Sequence, residues 1–449
     1  MSFLHSNNQR GTSLLDVIFG ASILLVVFIG LFGAFKLSLE IVQSVKGRTG
    51  ALALASERVE YVRSLLYDDI GTVGGIPQGV LVESETETLN GVSYTRRTFV
   101  QYTDATQDGS GGSDTNSITT DYKTVKVTVE WAFRNETRSI SLVTTIVPKG
   151  IESIIGGGTL RITVLDALGL AVPSAQVSLI NSQTSPAISL STFTNTSGIV
   201  EFLGAPAANS YEVSIIKTGY SSAQTYDVDI SNTNPNPGHL TVSESNTTSS
   251  SFSIDVTGSI VVNTFEVGTT TPLPSIPFSI RGDKTIGLDS GSNDIYKYNS
   301  SINTGASGSV TTSSLEWDNY TISIDDGATG YDIAESCSTQ PISLDPSGNE
   351  IVNIYLADDV AHSLLVNVKD INGNLLSGAS IQLYRGGYDT TQYTSTCGQT
   401  FFNNSLSQGT VGGGNSYTIY VSLSGYSAQT ISSVEVDGAS EWSVILVGV

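Results

Sequence analysis

The stretch from Thr12 to Phe35 reads TSLLDVIFGASILLVVFIGLFGAF and contains one charged residue, Asp16. From Val17 to Phe35 there are 19 uncharged, mostly apolar residues. At a rise of 1.5 Å per residue, a helix of that length nearly crosses a hydrocarbon core of about 30 Å. The sequence therefore predicts a membrane span over about residues 14–35, with a polar segment, residues 1–11, in front of it.

The helical pattern continues beyond the apolar stretch. No proline occurs between Lys36 and Leu66, and apolar residues recur there mostly at steps of three or four. These residues are Leu39, Val42, Val45, Leu52, Ala55, Val59, Val62 and Leu66. The pattern predicts one helix over residues 12–66, roughly 80 Å long, that is apolar all round in its first half and amphipathic in its second. A plain membrane anchor has no need of the second half, and a cleaved secretory signal has a shorter apolar core.

The amino-terminal residues carry a family resemblance. The segment QRG-TSLLDV followed by about 20 apolar residues resembles the prepilin signal of type IV pilins and type II secretion pseudopilins, and its SLL-plus-acid core is most similar to the minor-pilin branch. The resemblance implies that a prepilin peptidase cuts between Gly11 and Thr12 and methylates the new amine of Thr12. Asp16 falls on the fifth mature position, where the family usually has Glu, and Thr12 stands where Phe or Met is usual.

The charges at this end have a physical logic. Cleavage would leave an ammonium at Thr12, and burying it among packed helices requires a counter-ion. The carboxylate of Asp16 is expensive inside hydrocarbon, and it would neutralise the amine of a neighbouring subunit as helices bundle. Gly20, Gly30 and Gly33 are weak helix points, and two interpretations remain open: they let the helix bend, or they allow close packing between helices.

Residues 67–150 are predicted to form an antiparallel β head. Alternation and β-branched runs predict four strands, over residues 79–88, 92–102, 122–133 and 137–147. Asn90-Gly91 predicts a hairpin, since both residues tolerate positive φ. Val125, Val127, Val129 and Trp131 are expected to face the helix. Lys123, Lys126, Thr128 and Glu130 are expected to lie mostly on the opposite face. A helix followed by such a sheet resembles the pilin head.

Three similar units follow the head, over residues 158–243, 257–357 and 362–449. Seven positions of the first unit recur in the third at a constant offset of 204, for example Asp166 with Asp370 and Gly169 with Gly373. Their pattern of short strands and turns resembles carboxypeptidase regulatory-like (prealbumin-like) modules, for which no catalytic residues are implied. The predicted fold is thus an α+β pilin-like part followed by three all-β, Ig-like or prealbumin-like sandwiches.

Two cysteines and two acidic loops are candidate sites. Cys337 and Cys397 suggest one disulfide between the second and third modules in an exported chain, the alternatives being two free buried thiols or a thiol that faces a partner. The Asp104–Asn116 loop and the Asp370–Asn374 turn contain spaced carboxylates or amides that calcium could use. A solvated loop and an ordinary turn are the favoured interpretations.

Composition narrows the function classes. The formal net charge of −22 argues against a nucleic-acid partner, because binding to phosphates needs clustered Lys and Arg. Three histidines and two cysteines, with no nucleophile motif, predict no enzyme activity, no cofactor and no metal site. The charge is uneven: residues 12–150 carry 12 bases and 15 acids, and residues 151–449 carry 7 bases and 27 acids.

These observations lead to an expected function. The chain is expected to be a minor-pilin-like subunit of a type IV pilus-like fibre, with prepilin peptidase, other pilin subunits and a surface ligand or host cell as partners. It would first span the cytoplasmic membrane once, with its carboxy terminus outside, and then enter an extracellular fibre. The alternatives are a type II secretion pseudopilin and a plain membrane-anchored surface binding protein.

Overall fold

The computed structural model describes residues 14–105, 120–134, 136–149, 156–338 and 340–449. Its first element is one long helix, α1 (Leu14–Ser64), of 51 residues. At 1.5 Å per residue it is about 75 Å long. The predicted long helix is confirmed over the described residues, and it ends two residues before the predicted limit. A short 3₁₀ turn, Tyr67–Asp69, follows it.

The head is a four-stranded antiparallel sheet with the order β1-β2-β3-β4. Its strands are β1 (Ser84–Leu89), β2 (Val92–Thr103), β3 (Tyr122–Phe133) and β4 (Glu136–Ile146). The predicted hairpin at Asn90-Gly91 is confirmed, with φ values of 53° and 77°. Residues of the second half of α1, among them Leu54 and Val62, pack on Val127 and its neighbours. The core of the head is therefore the contact between helix and sheet.

The first strand of the head was predicted to begin at residue 79, whereas β1 begins at Ser84. Residues 79–81 do not belong to β1, because their backbone is bound to the loop that follows the helix. Val80 N–H donates to Asp69 O, and Leu81 N–H donates to Gly71 O. The alternating side chains gave no sign of this, since it depends on where the helix ends.

Lys123 was predicted to lie on the exposed face of β3, and this prediction is wrong. Only 2% of Lys123 is exposed, and it lies on the same face as Val125, as strict alternation requires. Its ammonium donates hydrogen bonds of 2.7 Å to the carbonyls of Tyr67 and Ile70. The side chain thus satisfies two buried acceptors of the turn after α1, which explains why a lysine is tolerated there.

The rest of the chain forms three modules of two sheets each. The strands of the first are β5 (Gly158–Leu165), β6 (Gln176–Asn181), β7 (Ile188–Phe193), β8 (Ile199–Ala205), β9 (Ala208–Ile216), β10 (Ala223–Gln224), β11 (Asn234–Pro235), β12 (Leu240–Val242) and β13 (Thr247–Ser253). One sheet has the order β13-β5-β8, and the other has the order β10-β9-β6-β7 with β12 beside β9.

The second and third modules repeat this plan. The elements of the second are β14 (Gly258–Glu266), β15 (Pro277–Gly282), β16 (Thr285–Leu288), β17 (Asp294–Tyr296), β18 (Asn299–Asn303), β19 (Ser309–Leu315), β20 (Asp318–Ser323), α2 (Asp326–Thr329), β21 (Tyr331–Glu335), β22 (Ile342–Leu344) and β23 (Asn349–Asp358). Those of the third are β24 (Ser363–Asp370), β25 (Ser380–Arg385), β26 (Tyr388–Tyr393), β27 (Gln399–Phe402), β28 (Tyr417–Ser422), β29 (Gln429–Val434) and β30 (Ala439–Leu446). The sheets are β19-β14-β23-β21 with β18-β15-β20-β22, and β27-β24-β30 with β26-β25-β28-β29. In addition, β16 and β17 form a three-stranded sheet with β11 of the first module, in the order β11-β16-β17.

The first module extends beyond the predicted limit of residue 243. Its last strand, β13, pairs in parallel with β5, and Phe252 and Ile254 belong to the module core. The strand reads TTSSSFS, so it has almost no apolar alternation, and only its pairing with β5 identifies it.

The repeated tyrosines have one structural role. Tyr211, Tyr320 and Tyr417 are each buried, and each hydroxyl donates to a backbone carbonyl 4–10 residues earlier in the chain. The equivalent position in all three modules therefore fixes the connection that precedes the strand. This buried hydroxyl is thus a structural feature that the three modules share.

Candidate functional site

The most distinctive surface of the molecule is the first half of α1. From Val17 to Leu39 all described side chains are exposed, for example Phe32 at 71%. The helix is long and apolar enough to cross a membrane. None of the residues in its most apolar stretch of 18 is buried against the rest of the chain. Such a continuous apolar surface must be covered by lipid or by other protein.

Two glycines lie where α1 packs closely on the sheet, and neither is among the predicted site residues. A Cβ atom on Gly47 would lie 2.5 Å from Nε1 of Trp131, and one on Gly50 would overlap the hydroxyl of Tyr94. Both positions therefore require glycine for close approach of helix and ring. Two glycines three residues apart in an otherwise helical stretch were the available signal.

Ion pairs hold the second half of the helix in place. Arg58 and Arg96 are 7% and 8% exposed, and both pair with Glu85 of β1. Burial lowers the pKa of the Arg58 guanidinium, with the charge of Arg96 adding to that effect. Since one carboxylate joins the helix to two strands, removal of Glu85 would leave two buried cations without this partner.

The amino-terminal site residues lie largely outside this description. Gly11 and Thr12 fall outside the described residues. Asp16 lies in α1, but its side chain is outside the described part, so its ion pair stays a prediction. A Cβ atom added at Gly20, Gly30 or Gly33 would have no neighbouring atom within 4 Å. Both interpretations of these glycines, a bend in the helix or close packing between helices, therefore remain open.

The two cysteines form a disulfide across the junction of the second and third modules. Around it, the side chain of Gln399 accepts hydrogen bonds from the backbone N–H groups of Ser336 and Cys337. Glu335, Cys337 and Cys397 are the one group of metal-ligand type among the described residues. Both sulfurs are used in the disulfide, so they offer no thiolate to a metal.

The other junctions are also fastened. Ile76, in the loop after α1, inserts into the core of the first module, and Ser189 N–H donates to Gly74 O at 2.7 Å. Between the first two modules, β11 pairs with β16, and Lys297 donates to the carbonyl of Ser222 at 2.8 Å. Contacts thus connect the head to the first module and each module to the next.

A cleft of about 520 Å³ lies at the junction of the second and third modules. Its lining residues include Asp332, Asp437, Glu441 and the buried Ser363. One carboxylate oxygen of each acid already accepts a hydrogen bond, from Val360 N–H, the Gln408 amide and the Asn367 amide respectively. Carboxylates accept hydrogen bonds and a serine hydroxyl both donates and accepts, so the cleft is chemically suited to a ligand rich in hydroxyl groups.

The turn Asp370–Asn374 is held by its own hydrogen bonds. One oxygen of Asp370 accepts from the N–H groups of Asn372 and Asn374, and the other accepts from the Asn374 amide. These bonds, with that of the Asn374 side chain first, lower the pKa of Asp370. The favoured interpretation as a turn is consistent with this geometry, whereas most of the Asp104–Asn116 loop lies outside the described residues.

No protein-family model matches this chain, and no curated protein matches it. Among solved structures, the Bacillus anthracis TIE protein is 14% identical, with 83% of this chain and 76% of that chain covered and a TM-score of 0.19. A streptococcal ancillary pilin is 13% identical, with 65% and 99% covered and a TM-score of 0.18. A minor pilin of the Gram-positive pathogen Streptococcus agalactiae is 14% identical, with 45% and 96% covered and a TM-score of 0.22. At TM-scores this low, these similarities imply nothing about the function of the present chain.

Proposed function

We propose that this chain is a minor-pilin-like structural subunit of a type IV pilus-like surface fibre. The observation that supports this proposal best is the division of α1 into two parts. One is an exposed apolar part over residues 17–35, and the other is held on the head by Gly47, Gly50 and the pair Arg58–Glu85. A plain anchor needs only the first half. A subunit that moves from a membrane into a bundle of helices needs a head rigidly fixed to its helix.

Assembly would use the amino-terminal residues. A prepilin peptidase would cut after Gly11, and the new ammonium on Thr12 would be neutralised by Asp16 of a neighbouring subunit. The near balance of bases and acids in residues 12–150 supports this role, because dense packing there meets little repulsion. Before assembly the helix would span the cytoplasmic membrane, with the carboxy terminus outside.

The three modules would project from the fibre and make contact with a surface ligand or a host cell. They carry almost all of the net negative charge, which favours solubility and mutual repulsion at short range. The cleft between the second and third modules is the place that we propose for a ligand. Its acceptor groups favour a neutral, hydroxyl-rich compound over an anionic one.

Two alternative functions predict a different location or a different processing of the chain. A type II secretion pseudopilin would stay inside the envelope, where three projecting modules have little room. A plain surface binding protein would keep Met1–Gly11 and would not enter a fibre. Enzymatic activity and a cofactor are not part of this proposal.

The test is mass spectrometry of the mature protein recovered from sheared surface fibres. We expect a chain that begins at methylated Thr12, and a Gly11→Val variant that stays uncut in the membrane. An intact Met1 on surface-exposed protein would contradict the proposal and favour the anchored binding protein. A cut chain that never appears in a sheared surface fraction would favour the pseudopilin.

A further inference from the structure

We propose that the three modules form a load-bearing tether, in which tension along the chain is resisted by shear between the first and last strand of each module. The inference rests on strand topology and on the connections between modules. It does not depend on which fibre system the subunit serves.

The first and last strands of every module are parallel neighbours. β5 pairs with β13 from Thr159↔Thr247 to Leu165↔Ser253. In the second module β14 pairs with β23 over eight positions, and in the third β24 pairs with β30 over eight positions. The same arrangement thus recurs three times, although the first and second modules share little sequence.

Parallel pairing decides how tension acts on these hydrogen bonds. The chain enters a module at the start of the first strand and leaves it at the end of the last. Because the two strands run in the same direction, these points lie at opposite ends of the pair. Tension then slides one strand along the other, and the hydrogen bonds of the pair bear the load together. An antiparallel pair would be pulled from one end, and its hydrogen bonds would break one after another.

The links between modules contain little slack. Only residues 254–257 separate β13 from β14, and only residues 359–362 separate β23 from β24. The links are themselves hydrogen bonded: Thr257 N–H donates to Gly219 O, and Asp359 N–H donates to Gly330 O. Tension therefore passes almost directly from the last strand of one module to the first strand of the next.

The disulfide adds a second path for tension at the last junction. Cys337 and Cys397 are 60 positions apart in sequence, and the chain between them contains both β23 and β24. When the third module yields, tension on Cys397 reaches Cys337 through the sulfur atoms. Residues 338–396 are then not extended.

The first arm of the test compares two pulling directions by single-molecule force spectroscopy on the full chain in detergent. In the double variant Cys337→Ser, Cys397→Ser, in which no disulfide bypasses β23 and β24, attachment at the two chain ends shears the strand pair of each module. Attachment at Ser259 and Asn349, which are paired in register at the same end of β14 and β23, peels that pair apart. We expect the second module to unfold at a several-fold lower force in the second geometry at the same loading rate. Equal forces would overturn the proposal. Thermal unfolding of the labelled protein checks that the attachment sites leave the fold intact.

The second arm measures the length released by complete unfolding between the chain ends. Replacing both cysteines with Cys337→Ser and Cys397→Ser should lengthen the total extension by about 200 Å, which corresponds to about 60 residues at 3.3–3.6 Å each. A Ser338→Ala variant that keeps both cysteines is the matched control and should show the shorter extension. An equal extension in the double variant and the control would overturn the second path for tension.

Discussion

The hydroxyl of Tyr94 donates a hydrogen bond of 3.1 Å to the backbone carbonyl of Gly47. This bond lies where α1 packs closely on the sheet, just after the polar contacts of Glu40 with Arg134 and of Ser44 with Arg138. Over residues 17–35 the helix is exposed and apolar, and from Ala51 onwards it contributes to the core of the head. The head is thus attached to α1 at a fixed position, which is the arrangement that fibre assembly would require.

A methyl group at Gly50 should destabilise the head. In Gly50→Ala the new Cβ overlaps the hydroxyl of Tyr94, whose side chain is 1% exposed and has little room to move. We expect a loss of about 1–3 kcal/mol in the free energy of unfolding of the head. Hydrogen exchange of head amides in the full chain measures it. Gly30→Ala is the control, since its Cβ meets nothing within 4 Å and alanine favours helix by about 1 kcal/mol. Equal head stability in both variants would contradict the close contact.

Lys123 should make the head more stable as pH rises from about 8 to about 10. Burial lowers the pKa of this ammonium to about 8, while an unfolded lysine has a pKa of about 10.4. Between these values the unfolded chain binds more protons than the folded chain, so the free energy of unfolding increases with pH. The neutral amine still has two N–H groups for the two carbonyls that it contacts.

Lys123→Met isolates this effect, because other groups titrate equally in both proteins. The variant leaves the carbonyls of Tyr67 and Ile70 without this donor, so it should be less stable than the wild type, and the difference should widen from pH 8 to pH 10. Urea unfolding of the head at several pH values measures the difference. A difference that is constant or shrinks over this range would contradict the lowered pKa.

The three buried tyrosines should have equal effects. Tyr211→Phe, Tyr320→Phe and Tyr417→Phe each remove one hydroxyl that donates to a backbone carbonyl. We expect each variant to lower the stability of its own module by about 0.5–1.5 kcal/mol. Tyr393→Phe is the control, since that side chain is 68% exposed. Denaturant unfolding that shows a loss in one module only would mean that the modules are not equivalent at this position.

Loss of the disulfide should lower the stability of the second and third modules and leave that of the head unchanged. The double variant Cys337→Ser, Cys397→Ser opens a loop of 60 positions, and we expect the second and third modules to lose roughly 2–4 kcal/mol. Calorimetry of the full chain checks this, and hydrogen exchange of the head serves as the internal control. An unchanged transition for both modules would show that the remaining contacts of Gln399 suffice at this junction.

The negative charge of Asp16 should be required for incorporation into fibres. Asp16→Asn keeps the size of the side chain and removes the carboxylate, so incorporation into fibres should fall at least several-fold. Asp16→Glu keeps the carboxylate and should be incorporated. Quantitative immunoblotting of sheared fibres against the membrane fraction measures both. Normal incorporation of Asp16→Asn would remove the ion pair from the assembly mechanism.

The amino-acid sequence by itself indicated the long helix, most of the head sheet and the repeated modules, in that order. The apolar run and the three-to-four periodicity predicted α1 to within two residues at its carboxy-terminal end, and the Asn90-Gly91 turn placed a hairpin correctly. The offset of 204 between two units identified repeated modules. These signals are local or repetitive, because helix and strand have characteristic periods that a sequence displays directly.

The tertiary structure decided how these parts are joined. It paired the Ser-rich strand β13 with β5, buried Lys123 under the turn after α1, and inserted Ile76 into the first module. It also made Gly47 and Gly50 the contact points of the helix. Each of these features depends on a partner far away in sequence, and a serine, lysine or glycine has no local pattern that names its partner. Only the folded chain shows that the first and last strands of every module are parallel neighbours. This pairing is the basis for expecting the three modules to bear a load.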